Sequence, residues 1–189
     1  MELYKECYDD NFEKIKSLFE NTNINLLYND KYQRNYFHIA CKNGNLEIIK
    51  YLLIKTEDII SKYQNISLNN IINKPDYEGN TPFHLACIYN HIELINFLLT
   101  IEKIDINKRD RYGCTAFYRI CLDKNFDLIK ILLKNDRINI NQGDNYGMTP
   151  FHTFCCFDNL DMIKLFLENP RIDINKKTIN LELLFIMLC

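Results

Sequence analysis

Three residue pairs have the types and spacing to do chemistry together: His38 with Cys41, His84 with Cys87, and His152 with Cys155. On a helix, a separation of three puts both side chains on neighbouring faces. That is the arrangement of a cysteine nucleophile with its base, or of half a zinc site. A second recurrence is acidic, at Glu13, Glu47, Glu93, Asp127 and Asp161, where paired catalytic carboxylates could be imagined. Either chemistry needs its groups to converge on one point. Zinc takes four ligands at about 2.0–2.3 Å, whereas these residues are spread at a regular interval along the chain. Most of the acids also have a lysine three positions on, at Lys16, Lys50, Lys130 and Lys164. That is the spacing of a helix-surface ion pair, and a negative charge early in a helix is favoured by the helix dipole. No Gly-rich phosphate loop, G-x-S-x-G elbow or H-E-x-x-H sequence occurs.

The elements that position these residues are written at a fixed interval of 34 residues. Asp76-Tyr77-Glu78-Gly79-Asn80-Thr81-Pro82-Phe83-His84-Leu85-Ala86-Cys87 returns as Asp110 to Cys121 and again as Asp144 to Cys155. A turn signal followed by an apolar stripe at this period marks a solenoid, in which each unit buries its face against its neighbours. Asp and Gly three apart suit a β-turn, with Gly free to take positive φ. Thr81 and Thr149 are placed to cap the first helix, with Pro82 and Pro150 at its first position. Asp10, Gly44, Asn90, Lys124 and Asp158 hold the turn between helices, where a left-handed residue is needed; Lys124 is the poorest fit. A second helix follows at helical spacing, through Ile92, Ile95, Leu98 and Leu99 or Phe126, Ile129, Leu132 and Leu133.

The D-x-x-G-x-T-P-F-H-x-A core, the later Leu98-Leu99 and the tail Ile104-Asp105-Ile106-Asn107 resemble the ankyrin repeat, whose period is about 33 residues. The resemblance covers nearly the whole chain and implies an all-α solenoid of helix-turn-helix units with projecting β-hairpin loops. It also implies that the histidines of the T-P-x-H position tie hairpin to helix, a role in which Tyr118 replaces them. The frame divides 1–189 as one domain: a partial N-terminal capping repeat over 1–29, repeats over 30–75, 76–109, 110–143 and 144–177, and an incomplete repeat over 178–189. Gln33 stands where the other turns have Gly, and Leu53 lies 23 residues before Asp76 where Leu99 lies 11 before Asp110. An insertion therefore falls near 54–71, expected as a surface loop. Asn65-Ile66-Ser67 within it matches a glycosylation sequon by chance.

Six of the eight cysteines, Cys7, Cys41, Cys87, Cys121, Cys155 and Cys189, share one repeat position. Stacked helices lie about 8–10 Å apart and a disulfide needs Cα atoms within about 7 Å, so a ladder of small buried hydrophobes is expected. A formal charge of −2 gives no basic excess for nucleic acid or a membrane surface. No apolar run approaches the roughly 20 residues of a membrane helix, and no N-terminal signal pattern is visible. These features read as a soluble, cytoplasmic protein without catalytic, cofactor or metal sites. The run Leu183-Leu184-Phe185-Ile186-Met187-Leu188 would cap the fifth repeat on one side. A partner, a second copy or a longer chain would cover the other.

What the resemblance leaves for function is the variable surface of hairpin tips and exposed first-helix ends, where partners are read. By register that surface holds Tyr32, Arg34, Tyr77, Glu78, Ile88, Tyr89, Arg111, Tyr112, Asp123, Tyr146, Met148 and Phe157. Tyr and Arg anchor interfaces, so an aromatic groove docking a protein partner of unknown identity is expected. The alternative is the recognition or regulatory segment of a larger or truncated enzyme or channel.

Overall fold

A computed structural model describes residues 2–21, 24–63, 67–157 and 159–178. Among them are eleven helices and no strand: α1 (Glu2–Tyr8), α2 (Phe12–Asn21), α3 (Tyr36–Asn43), α4 (Leu46–Tyr63), α5 (Leu68–Ile72), α6 (Pro82–Ile88), α7 (Ile92–Leu99), α8 (Ala116–Leu122), α9 (Phe126–Leu133), α10 (Pro150–Cys156) and α11 (Leu160–Leu167). They form two compact units that divide between Lys108 and Arg109, the first holding α1 to α7 and the second α8 to α11.

Each repeat opens on a turn built by its aspartate. Asp76 Oδ1 accepts the backbone N–H groups of Glu78 and Asn80 at 2.9 and 2.8 Å, while the Asp76 N–H donates to the Asn80 carbonyl at 2.8 Å. One short carboxylate thus satisfies the turn backbone, which is why Asp holds the position. Gly79 lies at φ 83°, and Gln33 is forced to φ 63° where its repeat lacks glycine. Neighbouring turns are joined by single backbone bonds, Tyr77 N–H to the Tyr32 carbonyl in the first unit and Asn145 N–H to the Tyr112 carbonyl in the second. The expected β-hairpins are therefore tight loops without a strand ladder.

First helices begin on side-chain caps at Asn35, Thr81, Thr115 and Thr149, each accepting the N–H three residues on. The turn to the second helix passes through the left-handed region at Asp10, Gly44, Asn90 and Lys124, with Lys124 at φ 56°; Asp158 lies outside the described residues. At Gly44 an added Cβ would sit 2.3 Å from the His91 ring, so glycine there also makes room for the next repeat.

In the first unit α1 packs on α3 and α3 on α6; in the second α8 packs on α10. Cys7, Cys41, Cys87 and Cys121 are buried as free thiols along these faces. Cys155 departs from the ladder and is exposed. The residues that the frame sets against it, 179–189 with Cys189 among them, lie outside the described residues.

The stretch near 54–71 differs from expectation. It is largely helical, because α4 runs on for 18 residues where α7 has 8, and α5 follows. Leu52, Thr56, Ile59 and Ile60 keep one face of α4 turned inward, and Leu68, Ile71 and Ile72 bury α5. The sequon residues Asn65 and Ile66 are outside the described residues.

Candidate functional site

The histidines of the His–Cys pairs are engaged as helix caps. His38 Nδ1 accepts the Asn35 N–H at 3.1 Å, and His84 and His152 do the same for Thr81 and Thr149 at 3.2 and 3.1 Å. With Nδ1 an acceptor, Nε2 carries the proton, and in His38 it donates to the Asn80 carbonyl at 3.1 Å. The ring closes a capping box and ties the helix to the next turn. Burial holds the His38 imidazole down at about 4, well below its ordinary range, and lowers that of His152. The thiols are shifted the other way. Burial raises Cys41, Cys87 and Cys121 far above the range of a reactive thiolate, and pushes Cys7 up to about 12. The imidazoles thus have their acceptor nitrogen already engaged in the cap, and burial disfavours the thiolate at the buried cysteines. Two of the recurrent acids form ion pairs at the solvent face: Glu13 with Lys16 at 2.8 Å and Glu47 with Lys50 at 3.0 Å. Among the described residues, no group of three or more His, Cys, Asp or Glu could hold a metal ion.

The surface residues fall into two groups, one in each unit. In the first, Tyr32, Arg34, Tyr77 and Glu78, with Lys31 and Asp76, bound a shallow groove of about 470 Å³. Tyr77 is 73% exposed there. Arg34 is largely engaged within its own turn, since Nε and Nη2 both donate to Asp30 Oδ2, at 2.9 and 2.7 Å. Its guanidinium also lies over the Tyr32 ring at 4.7 Å. Ile88 and Tyr89 end α6 in the open; Tyr89 stacks on His91 and carries Lys42 at 5.4 Å.

In the second unit Tyr112, Tyr146, Met148 and Phe157 line a cleft of about 560 Å³. Its wall also takes in Tyr118, Arg119, Leu122, Asp144 and Cys156, so it is largely apolar with one guanidinium and one carboxylate set into it. Tyr112 lies between two cations, Arg111 at 4.7 Å and Arg119 at 5.0 Å, and Lys124 sits over Phe157 at 4.5 Å. Arg111 and Asp123 are exposed beside the cleft rather than in it. Arg119 donates from Nε and Nη2 to the buried Asp110 Oδ2, at 2.6 and 2.5 Å.

The sequence model of the family described as Ankyrin repeats (3 copies) matches residues 3–110 and 99–178. The chain belongs to the ankyrin repeat family. Its fold class is accordingly the all-α ankyrin-repeat solenoid, and repeats of this family generally mediate protein–protein interaction. A similar protein is the probable 26S proteasome regulatory subunit p28 of Saccharomyces cerevisiae, 30% identical over 96 residues. The match takes in 51% of this chain and 38% of that relative. None of the described helices is long and apolar enough to cross a membrane.

Within the ankyrin frame Arg119 and Tyr118 are the residues that sequence reasoning missed as parts of the site. Their signal is departure from the repeat. Arg119 stands where the other full repeats have Ile39, Leu85 and Thr153, and Tyr118 where they have histidine; the partial first repeat has Lys5 and Tyr4 there. The Tyr118 hydroxyl replaces the imidazole link, donating to Asp144 Oδ2 at 3.4 Å and accepting from the Thr153 hydroxyl at 3.4 Å.

Proposed function

We propose that this chain is a non-catalytic scaffold or adaptor that docks a partner protein on its hairpin tips and first-helix ends. The observation that carries this reading is the second unit's cleft, where Tyr112, Tyr146 and Phe157 remain 47%, 57% and 49% exposed around an apolar hollow. Large aromatic side chains left in water at a concavity supply the buried area that an interface core needs. The engagement of the histidines as helix caps supports a binding role over a catalytic one. The description of the yeast relative as a regulatory subunit supports a second reading, in which the same surface is the recognition or regulatory segment of a larger enzyme or channel. Self-association through the C-terminal repeat is a further route to the same kind of contact.

The test is affinity capture with the intact chain and with a Tyr77→Ala/Tyr112→Ala/Tyr146→Ala variant whose thermal unfolding matches it. Three lost aromatic anchors should lower the retention of specific partners by tenfold or more, at about 1–2 kcal/mol each. Retention of every specific partner by the variant removes this surface from the account.

A further inference from the structure

The cleft of the second unit has a charge character that apolar docking alone does not use. We propose that it selects a partner segment in which a carboxylate side chain stands next to a large apolar one: an acidic, apolar-anchored peptide.

Arg119 is the first reason. The position is apolar or small in the other full repeats, as Ile39, Leu85 and Thr153, with a cation again only at Lys5 of the partial first repeat, and the turn does not need an arginine there. Asp76 and Asp144 hold the same pairs of backbone N–H groups as Asp110 does, with Leu85 and Thr153 in the place of Arg119. Arg119 is thus additional to what the fold requires. Two of its nitrogens are fixed by the buried Asp110, while the side chain stays 29% exposed at the cleft. A guanidinium locked in this way can offer its remaining N–H groups to a second carboxylate without losing rotamer freedom on binding.

The second reason is the direction in which the charges face. The cleft's carboxylates are turned to their own turns: Asp110 accepts from the Tyr112 and Cys114 N–H groups and from Arg119, and Asp144 from the Tyr146 and Met148 N–H groups and the Tyr118 hydroxyl. The cations at the hollow are Arg119 in its wall and Lys124 over the Phe157 ring at its edge, with Asp123 the exposed acid beside them. A basic segment would meet aromatic faces already occupied by cations. An acidic one meets Arg119 and Lys124 and a hollow of about 560 Å³, large enough for an apolar side chain and its neighbours.

This inference rests on the cleft being a docking surface, and the experiment separates the two. Three fluorescein-labelled peptides are titrated into the intact chain by anisotropy: Gly-Glu-Leu-Phe-Glu-Gly, its Gln analogue and its Lys analogue. Amide shifts of the 15N-labelled chain locate the binding. The Glu peptide should bind about tenfold more tightly than the Gln peptide at low salt, a ratio in keeping with one charge-assisted contact. It should shift Tyr112, Tyr146 and Phe157. Arg119→Leu restores the residue type of Leu85, so the variant should fold; it should bring the Glu-to-Gln ratio below about twofold. Arg119→Lys, which keeps the charge and loses the fork, should give an intermediate ratio. Equal binding of all three peptides, abolished by Tyr112→Ala/Tyr146→Ala, would keep the docking cleft and overturn the selectivity. So would a Glu preference that survives Arg119→Leu, or a preference for Lys. No shift at the cleft with any peptide would overturn both.

Discussion

Asp30 and Asp110 each have an arginine paired to them and a tyrosine under its guanidinium, yet the two arginines are put to different use. In the first unit the arginine is Arg34, four residues along the same turn as Asp30 and 20% exposed. In the second it is Arg119, reaching back from α8 to Asp110. Arg34 closes its own loop and leaves only a shallow groove beside it. Arg119 opens into an apolar cleft. Where an arginine comes from, and not its presence beside a carboxylate, separates a side chain that secures a loop from one that faces a partner.

The sharpest way to break the comparison is to dismantle one unit and watch the other. Phe166, buried against Phe117 at 6.1 Å and Phe154 at 5.1 Å, anchors the second unit's core. Phe166→Ala should cost about 3–5 kcal/mol. Hydrogen exchange should then accelerate across α8 to α11 well before α3 and α6. Uniform acceleration through all of them would mean that the two units do not open separately.

A next effect, on the order of 3 kcal/mol, belongs to pH. Burial depresses His38 from 6.5 to about 4, so between those values the unfolded chain binds a proton that the folded chain refuses. This contribution to stability is complete above pH 6.5 and is lost as pH falls towards 4. Urea titrations of the intact chain and of His38→Gln, which keeps a side chain able to close the capping box, should diverge only in that window. Parallel pH profiles would show that the imidazole is not the titrating group.

Smaller still is the direct contrast between the two arginines. Arg34→Ala leaves Asp30 without its ion-pair partner and should cost about 1–2 kcal/mol. Arg119→Leu should cost more, about 2–3 kcal/mol, because it leaves the fully buried Asp110 carboxylate without its partner. Equal costs by denaturant titration would remove the distinction drawn between them. The least effect is expected at Lys124, whose φ of 56° is unfavourable for lysine. Lys124→Asn should stabilise the chain by about 0.5–1 kcal/mol, seen as a rise in Tm.

Much of this architecture is legible in the chain because one frame of 34 residues fixes turn, cap and helix together. It places Thr81 and Thr149 at helix starts and finds Lys124 in the left-handed position despite its side chain. The same frame hides what departs from it. The stretch near 54–71 reads as an inserted loop only if its own periodicity is ignored; Leu52, Thr56 and Ile59 to Ile60 continue the inward face of α4. The asparagines that close each tail also escape a search for sites. Asn73 bonds the Lys103 carbonyl and the Asp105 N–H at 2.8 Å each, and Asn141, two repeats on, does the same for Arg171 and Asp173 at 2.7 and 2.9 Å. The tyrosines of the tips are legible from register, but which of them share a hollow depends on Arg119 and Tyr118, residues that a consensus discards.

The measurement nearest the central claim compares two double variants for a captured partner by calorimetry, Tyr112→Ala/Tyr146→Ala against Tyr32→Ala/Tyr77→Ala, each checked for unchanged Tm. If work is shared out on exposed surfaces and concentrated at the second unit's cleft, the first pair should weaken binding at least tenfold and the second less than about threefold. Undiminished binding by the first pair, or a larger loss from the second, would contradict that account.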